Sequence, residues 1–189
     1  MGFRDIGIIP NRREVESKLN SMGDYVRMDY LQKILRQNID FDTKKFALVK
    51  LAEIYEPRGM FADAAKLMAT SAEINTTFDG KMSDYMKACE LYVKSGKYDD
   101  SDIVLQKALA CASAVQKISL KIKRKELVKV QAKELMKRDK RNHAMQAYEK
   151  ILTLDLSPIE KREAQETLLN LYEKLGKIRD FYTLKNLMH

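Results

Sequence analysis

Residues that build tight turns, cross-links and metal sites are scarce in this sequence of 189 amino acids. It contains seven glycines, three prolines, two cysteines, two histidines and no tryptophan. Folds rich in β-structure need many turn residues, so this shortage argues against them. Charged residues reach 33%, against about 25% in an average domain, while 45% of residues are hydrophobic. This balance is typical of long helices that combine a charged outer face with a buried one.

The residue types that carry catalysis or bind metals form no recognisable constellation. Cys89 and Cys111 lie in apolar helical sequence without a Cys-x-x-Cys spacing, and we expect both to be reduced, buried thiols. His143 and His189 belong to no metal-ligand or nucleophile–base pattern, and no glycine-rich phosphate loop is present. We therefore expect a protein that is not an enzyme, with no catalytic residue, no metal and no cofactor.

No apolar stretch approaches the roughly 18 residues of a membrane span. The first residues also lack the apolar core of a signal peptide. These two features predict a soluble, cytoplasmic protein without a membrane partner. Residues 1–10 are predicted to be an apolar arm of unassigned role, followed by a helical domain over residues 11–189.

One sequence phrase recurs along the chain, with 36 to 43 residues between successive copies. A large apolar residue is followed four positions later by a turn residue and, four positions after that, often by aspartate. The copies are Leu19…Gly23…Arg27, Tyr55…Gly59…Asp63, Tyr92…Gly96…Asp100, Leu135…Asp139…His143 and Tyr172…Gly176…Asp180. Glycine tolerates the left-handed backbone that ends a helix and reverses the chain. Since helical sequence lies on both sides of each copy, the phrase predicts a series of helical hairpins.

The periodicity of apolar residues predicts ten helices and no strand. The predicted ranges are 12–21, 24–38, 43–57, 60–75, 81–95, 98–114, 116–138, 141–154, 158–175 and 178–188. The clearest start is at Ser157, which is suited to the N-cap and is followed by Pro158 at the first helical position and Glu160 at the third. The predicted fold class is all-α.

The repeated phrase resembles the tetratricopeptide repeat, a helix–turn–helix unit of about 34 residues. Three segments carry the resemblance best: Leu48, Leu51, Ala52, Tyr55, Gly59, Phe61, Ala64, Met68 and Ser71; Tyr85, Ala88, Cys89, Tyr92, Gly96, Tyr98, Ser101, Leu105 and Ala108; and Val128, Gln131, Ala132, Leu135, Asp139, Arg141, Ala144, Tyr148 and Ile151. Small residues at paired positions, such as Cys89 and Ser101, would let two helices approach closely. The resemblance implies a right-handed α-solenoid of about five antiparallel helical hairpins with a concave groove.

The outer units depart from the family pattern. Glu16 and Phe181 stand where a small residue is usual, and the spacing of the copies exceeds that of the family. Terminal units of a solenoid are commonly atypical. A generic helical bundle, whose hairpins resemble one another by chance, remains the alternative fold.

Positive charge is concentrated in one segment of the chain. The 35 basic and 27 acidic residues give a net charge of +8. Residues 117–141 hold eleven of the basic and three of the acidic side chains, so 24 of each sign remain elsewhere. Within this segment a basic residue recurs every fourth position, at Lys117, Lys121, Lys125, Lys129, Lys133, Lys137 and Arg141. Lys123, Arg124, Arg138 and Lys140 broaden the row.

In the family that the phrase resembles, the first helix of each hairpin lines a groove that binds partners. The resemblance therefore implies a partner-binding site in the basic segment. Its predicted residues are Lys121, Lys125, Lys129, Lys133 and Lys137, with Glu53 and Glu90 contributing opposite charge further along the groove. The predicted function is that of a non-catalytic scaffold or adaptor for protein–protein interaction, which binds a peptide or helix with an acidic segment.

Three other interpretations stay open. The basic segment is also consistent with a solvated helix that binds nothing. An adaptor associated with RNA or the ribosome would bind phosphates through residues 117–141, independently of sequence and with strong dependence on salt. The apolar end of the last helix, at Leu184, Leu187, Met188 and His189, also suggests a homodimer.

Overall fold

The computed structural model describes residues 10–188, so the predicted arm over residues 1–10 lies outside the described residues except for Pro10. Residues 10–188 form ten α-helices and no strand, which confirms the all-α class. The helices are α1 (Arg12–Asn20), α2 (Asp24–Leu35), α3 (Phe41–Tyr55), α4 (Phe61–Ile74), α5 (Phe78–Lys94), α6 (Tyr98–Ala110), α7 (Ala114–Lys137), α8 (Arg141–Leu152), α9 (Pro158–Lys174) and α10 (Ile178–Asn186). A short 3-10 turn, Glu56–Arg58, extends α3. Each predicted helix is present, with its ends shifted by a few residues.

Odd-numbered and even-numbered helices begin in different ways. Each odd-numbered helix has an N-cap side chain that accepts a hydrogen bond from a backbone N–H of the first turn. These N-caps are Asn11, Asp40, Thr77, Ser113 and Ser157. The even-numbered helices have no such cap. The alternation shows that the chain uses two kinds of connection in turn.

Four of the connections that precede even-numbered helices share one backbone geometry. The turn residues Gly59, Gly96, Asp139 and Gly176 have left-handed φ angles of 74°, 75°, 51° and 66°. The N–H of the following residue donates to the carbonyl five positions earlier, from Met60 to Tyr55 (3.1 Å), Lys97 to Tyr92 (2.9 Å), Lys140 to Leu135 (2.9 Å) and Lys177 to Tyr172 (2.8 Å). This bond is the hallmark of the Schellman motif at a helix C-terminus. The repeated phrase thus marks a repeated turn.

The weakest copy of the phrase does not form this turn. Gly23 has a φ of −73° and an extended backbone just before α2, and the Met22 N–H donates to Leu19 three positions back, at 3.2 Å. The expectation of a left-handed turn at Gly23 is therefore wrong. The connection between α1 and α2 differs from the other four.

The helices pack in chain order. From α2 to α10 each helix packs against the next, and α1 and α5 also contact α3 and α7, the second helix along from each. At 24 residues, α7 is the longest helix of the described chain. No helix within residues 10–188 is both long enough and apolar enough to cross a membrane.

Small residues lie where paired helices meet. Cys89 of α5 and Ser101 of α6 are fully buried, with 3.1 Å between Cys89 Sγ and Ser101 Oγ. The Ser101 hydroxyl also lies 3.2 Å from the Cys89 carbonyl. This confirms the close approach that was predicted for the pair. Burial in this contact raises the pKa of the Cys89 thiol.

The buried core is divided into two clusters along the chain. The first reaches from Val15 to Leu120, and the second includes Val93 and Tyr98 and then runs from Val128 to Leu184. Helix α7 contributes to both, since Leu120 belongs to the first cluster and Val128 to the second. The position of α7 in the fold is therefore at the junction of two cores.

Candidate partner-binding surface

The core-facing side of α7 contains a buried arginine. The buried residues of the helix follow a spacing of three and four: Leu120, Arg124, Val128, Ala132 and Leu135. Arg124 is 1% exposed, and its Nη2 donates to Asp102 Oδ1 of α6 at 3.0 Å. The expectation that Arg124 broadens an exposed basic row is therefore wrong. Arg124 sits on the apolar face of α7, between the residues that join the two cores.

The surroundings of Arg124 satisfy its charge only in part. Its Nε and Nη1 atoms are buried without a hydrogen-bond partner among residues 10–188, as is the Tyr98 hydroxyl. Lys150 of α8 forms a second ion pair with Asp102. Burial raises the pKa of Tyr98 to about 12, although the nearby Arg124 acts in the opposite direction. Asp102 is thus the carboxylate through which α6, α7 and α8 are joined.

Two lysines of the predicted site converge on one glutamate of α9. Lys125 Nζ lies 3.0 Å from Glu160 Oε2, and Lys129 Nζ lies 2.9 Å from Glu160 Oε1. Glu160 also accepts a hydrogen bond of 2.8 Å from the Ser157 N–H, within the predicted capping box. Hydrogen bonds from Lys129, from the Ser157 backbone and from Lys125 hold the pKa of Glu160 far below its ordinary value. The same contact with Glu160 raises the pKa of Lys129.

The other predicted lysines of α7 are more exposed. Lys137 pairs with Glu134 of its own helix at 3.0 Å. Lys121 and Lys133 are exposed, and neither forms an ion pair within the described part of the chain. Within the predicted site, Lys121 and Lys133 are therefore the positive charges with no intramolecular partner among residues 10–188.

The two predicted glutamates lie in separate surroundings. Glu53 is exposed and pairs with Lys50 at 2.9 Å. Glu90 of α5 pairs with Lys94 at 2.7 Å and Lys87 at 3.4 Å, and both lysines also contact Glu56 after α3. Burial alone would raise the pKa of Glu90, but Lys94 and Lys87 outweigh it and the pKa is lowered. Glu56 thus joins the end of α3 to α5, whereas the ion pairs of Glu90 lie within α5.

The sequence-based prediction missed an exposed apolar set in the first half of α7. Val115, Ile118 and Ile122 are 78%, 64% and 55% exposed, and we call them the apolar triplet. The signal was present in the sequence, because α7 has apolar residues at helical spacing both here and on its core-facing stripe. A helix packed along one side buries only one such stripe.

Within residues 10–188, the histidine, cysteine and acidic side chains are not grouped as metal ligands. No group of three or more histidine, cysteine or acidic side chains is placed to hold a metal ion within residues 10–188.

A cleft of about 550 Å³ lies beside the left-handed turns and is lined by Phe61, Tyr98, Lys94 and His143, among others. Its lining contains neither the apolar triplet nor the predicted lysines.

The last helix buries part of the apolar end that suggested a homodimer. Leu184 is 9% exposed in the second core cluster, and Met188 packs against that cluster. Leu187 is 75% exposed, and His189 lies outside the described residues. Leu184 therefore packs in the core of its own chain and is not available for a contact between two copies.

The chain matches no protein-family model and no curated protein.

Proposed function

We propose that this protein is a non-catalytic adaptor that binds a segment of another protein on an extended helical surface. In this proposal the ten helices form a right-handed solenoid of about five hairpins, similar to tetratricopeptide repeats. The support is the left-handed turn that recurs four times, together with packing that follows chain order. Helices that pack this way create long surfaces suited to extended partners.

The observation that carries the proposal is the unbalanced charge of α7. Its exposed lysines at positions 117, 121, 123 and 133 have no ion pair among residues 10–188, although most of the buried or half-buried charges nearby do. Like charges four residues apart disfavour a helix by a few tenths of a kcal/mol per pair. A partner with an acidic segment would relieve this repulsion and gain speed of association through electrostatic steering.

RNA is the second candidate, because lysines also bind phosphates. The exposed apolar residues of α7 are valine and isoleucine, whereas single-stranded nucleic acids stack their bases on aromatic rings. A protein segment therefore fits α7 better. The two candidates differ in a measurable way, since an RNA complex is destroyed by nuclease and weakens steeply with salt.

The test is affinity capture from a native lysate with and without nuclease, using the variant Lys121→Glu/Lys133→Glu. Neither lysine has an ion pair within the described chain, so the fold should be unaffected. The matched control reverses Lys33 and Lys174, which are exposed on α2 and α9. We expect the α7 variant to lose a nuclease-resistant protein that the wild type and the control retain. Capture that nuclease abolishes supports RNA, and capture that the α7 variant retains contradicts both candidates.

A further inference from the structure

The first half of α7 combines exposed apolar side chains with unpaired positive charge. The apolar triplet is spaced by four and three residues, so at about 100° per residue its members fall within roughly 60° of one another. The same rotation places them about 120° to 180° round the helix from the direction of Arg124. Since Arg124 points into the core, the triplet forms a continuous stripe on the solvent side.

The surface around this stripe is basic, with Lys121 and Lys123 beside it and Lys117 further round the helix, about 20° from the direction of Arg124. Lys117, Lys121 and Lys123 are exposed and form no ion pair within residues 10–188. Residues 114–125 include no aspartate or glutamate. By contrast, Lys125, Lys129 and Lys137 further along α7 each meet a glutamate, and Lys133 is the later lysine of α7 without an ion pair among residues 10–188. Unsatisfied apolar surface and unsatisfied positive charge therefore coincide in residues 114–123.

Several other exposed apolar residues of the described chain are isolated at helix starts, whereas Val130 on α7 and the pair Ile178 and Tyr182 on α10 do not extend to three residues at helical spacing. Phe41, Phe78 and Ile159 each lie at the first or second position of α3, α5 and α9. Isolated apolar residues of this kind are ordinary on protein surfaces, whereas a contiguous stripe marks an interaction site. The stripe on α7 is therefore a candidate interaction site.

The chemistry of the stripe defines the partner. A second helix presents apolar side chains at the same spacing of three and four, and it can lie along the triplet. Its flanking positions must be acidic, because Lys121 and Lys123 border the triplet on either side, at about 60° to 80° round the helix. A second copy of this chain would bring two basic surfaces together and be repelled. Nucleic acid would bind the lysines but leave the aliphatic side chains without a role.

We infer that residues 114–123 of α7 are the docking surface for an acidic amphipathic helix of a partner protein. This inference rests on the proposed adaptor function and moves the centre of the site towards the start of α7. The triplet supplies the buried contact of the complex, and the three lysines supply its orientation and its rate of formation.

The probe for this surface is a fluorescein-labelled synthetic helix of about 18 residues, with leucine at every third or fourth position and glutamate on the flanks. Its control has the same composition with the leucine positions scrambled. Binding is followed by fluorescence anisotropy with the full chain. We expect the patterned peptide to bind about tenfold more tightly than the scrambled one, since one face must be apolar to fit the stripe.

Two variants of the protein divide the surface into its parts. The first variant removes the apolar stripe and keeps the charge: Val115→Ser/Ile118→Ser/Ile122→Ser. The second keeps the stripe and reverses the charge around it: Lys117→Glu/Lys121→Glu/Lys123→Glu. Each should weaken binding of the patterned peptide about tenfold or more. The matched controls are Ile103→Ser/Ile178→Ser, at exposed sites on α6 and α10, and Lys33→Glu/Lys174→Glu. The controls should bind within about twofold of the wild type.

The outcomes separate this inference from the proposed function. If the serine variant keeps the partner that Lys121→Glu/Lys133→Glu loses, the adaptor function stands and the docking surface on residues 114–123 is wrong. Equal affinity for patterned and scrambled peptides also overturns it. Triplet-dependent binding to vesicles containing phosphatidylserine, without binding to the peptide, assigns the surface to lipid and overturns it as well.

Discussion

Arg124 is held in the core by a single carboxylate. Its guanidinium is 1% exposed, and its contact with Asp102 is the one that compensates the buried charge, because Nε and Nη1 have no partner among residues 10–188. A buried charge without a counter-ion costs several kcal/mol. Asp102 is itself 39% exposed and also pairs with Lys150. Loss of Asp102 would therefore leave Arg124 without a counter-ion, whereas loss of Arg124 would leave Asp102 in contact with solvent and with Lys150.

We predict that Asp102→Ala lowers the free energy of unfolding by about 3 kcal/mol, since it leaves Arg124 buried and unpaired. Arg124→Met/Asp102→Ala should recover most of this loss, because methionine occupies a similar volume without charge. Urea denaturation of the two single variants and the double variant completes the cycle. A loss below about 1 kcal/mol for Asp102→Ala would contradict the buried-charge account.

The carboxylate of Glu160 links stability to pH. Its pKa in the folded chain is lowered from the ordinary value of 4.5, first by Lys129, then by the Ser157 backbone and Lys125. A lowered pKa stabilises the native state at pH values above the unfolded value, and this contribution disappears as the pH falls towards the folded pKa. The loss therefore begins at acidic pH, below about 4.5.

We predict that Glu160→Gln melts at a lower temperature than the wild type at pH 7, and that the difference shrinks as the pH is lowered below about 4.5. Thermal unfolding of both proteins over a series of pH values measures the effect. Glu163→Gln, at an exposed position on the same helix with no ion pair among residues 10–188, is the control. A difference that stays constant down to pH 3 would show that the ion pairs with Lys125 and Lys129 contribute nothing.

The left-handed turns set the direction of the chain at the scale of the helix pair. Gly96 has a φ of 75°, and a Cβ at this position would meet no atom within 4 Å. The cost of a side chain at Gly96 is therefore conformational, at about 1–2 kcal/mol. Gly23, with a φ of −73°, carries no such requirement. The two glycines thus occupy the same position in the sequence phrase, but Gly96 is left-handed and Gly23 is extended.

We predict that Gly96→Ala lowers the free energy of unfolding by about 1 kcal/mol. Gly23→Ala is the matched control and should change it by about 0.5 kcal/mol or less. Chemical denaturation of both variants gives the comparison. Equal losses would mean that the left-handed conformation at Gly96 is not a constraint on the fold.

Helix positions were predictable because capping and turn residues act locally. Ser157 and Glu160 form the expected capping box, and Gly59, Gly96 and Gly176 adopt the expected left-handed backbone. Long-range packing was not predictable in the same way. The sequence around Arg124 indicates only one more charge in a basic row. Its ion pair with Asp102, 22 positions earlier, cannot be predicted from that segment.

The candidate site shows the same division between local and distant effects. The sequence predicts the basic row of α7, since charge can be counted. The pairing of Lys125 and Lys129 depends on Glu160 of α9, which lies 35 and 31 positions further along the sequence. Which apolar residues stay exposed depends on where α7 stops packing. The spacing of the apolar triplet is therefore visible in the sequence, but its exposure is known only from the folded chain.

At the scale of the whole molecule, stability is distributed along a line of neighbouring contacts. The two core clusters meet at α7, and packing joins helices that are adjacent or nearly adjacent in the sequence. Where packing joins mainly neighbouring elements, stability is close to a sum of local terms and terms between neighbours. Damage in one cluster should therefore remain local.

We predict that Leu168→Ala, at a residue 2% exposed in α9, destabilises the second cluster by about 3 kcal/mol. Hydrogen exchange followed by mass spectrometry should show lost protection in α8, α9 and α10 with little change in α3, α4 and α5. The reverse experiment, Leu51→Ala in α3, should spare α9. Uniform loss of protection along the chain would show that the two clusters unfold as one unit.

The four matching turns are interchangeable parts. Because each turn gives α4, α6, α8 and α10 the same backbone bend, a turn sequence taken from one of these four sites should serve at another. The grafted residues would need only the left-handed position and the N–H donor that follows it, since the bend depends on these two local features.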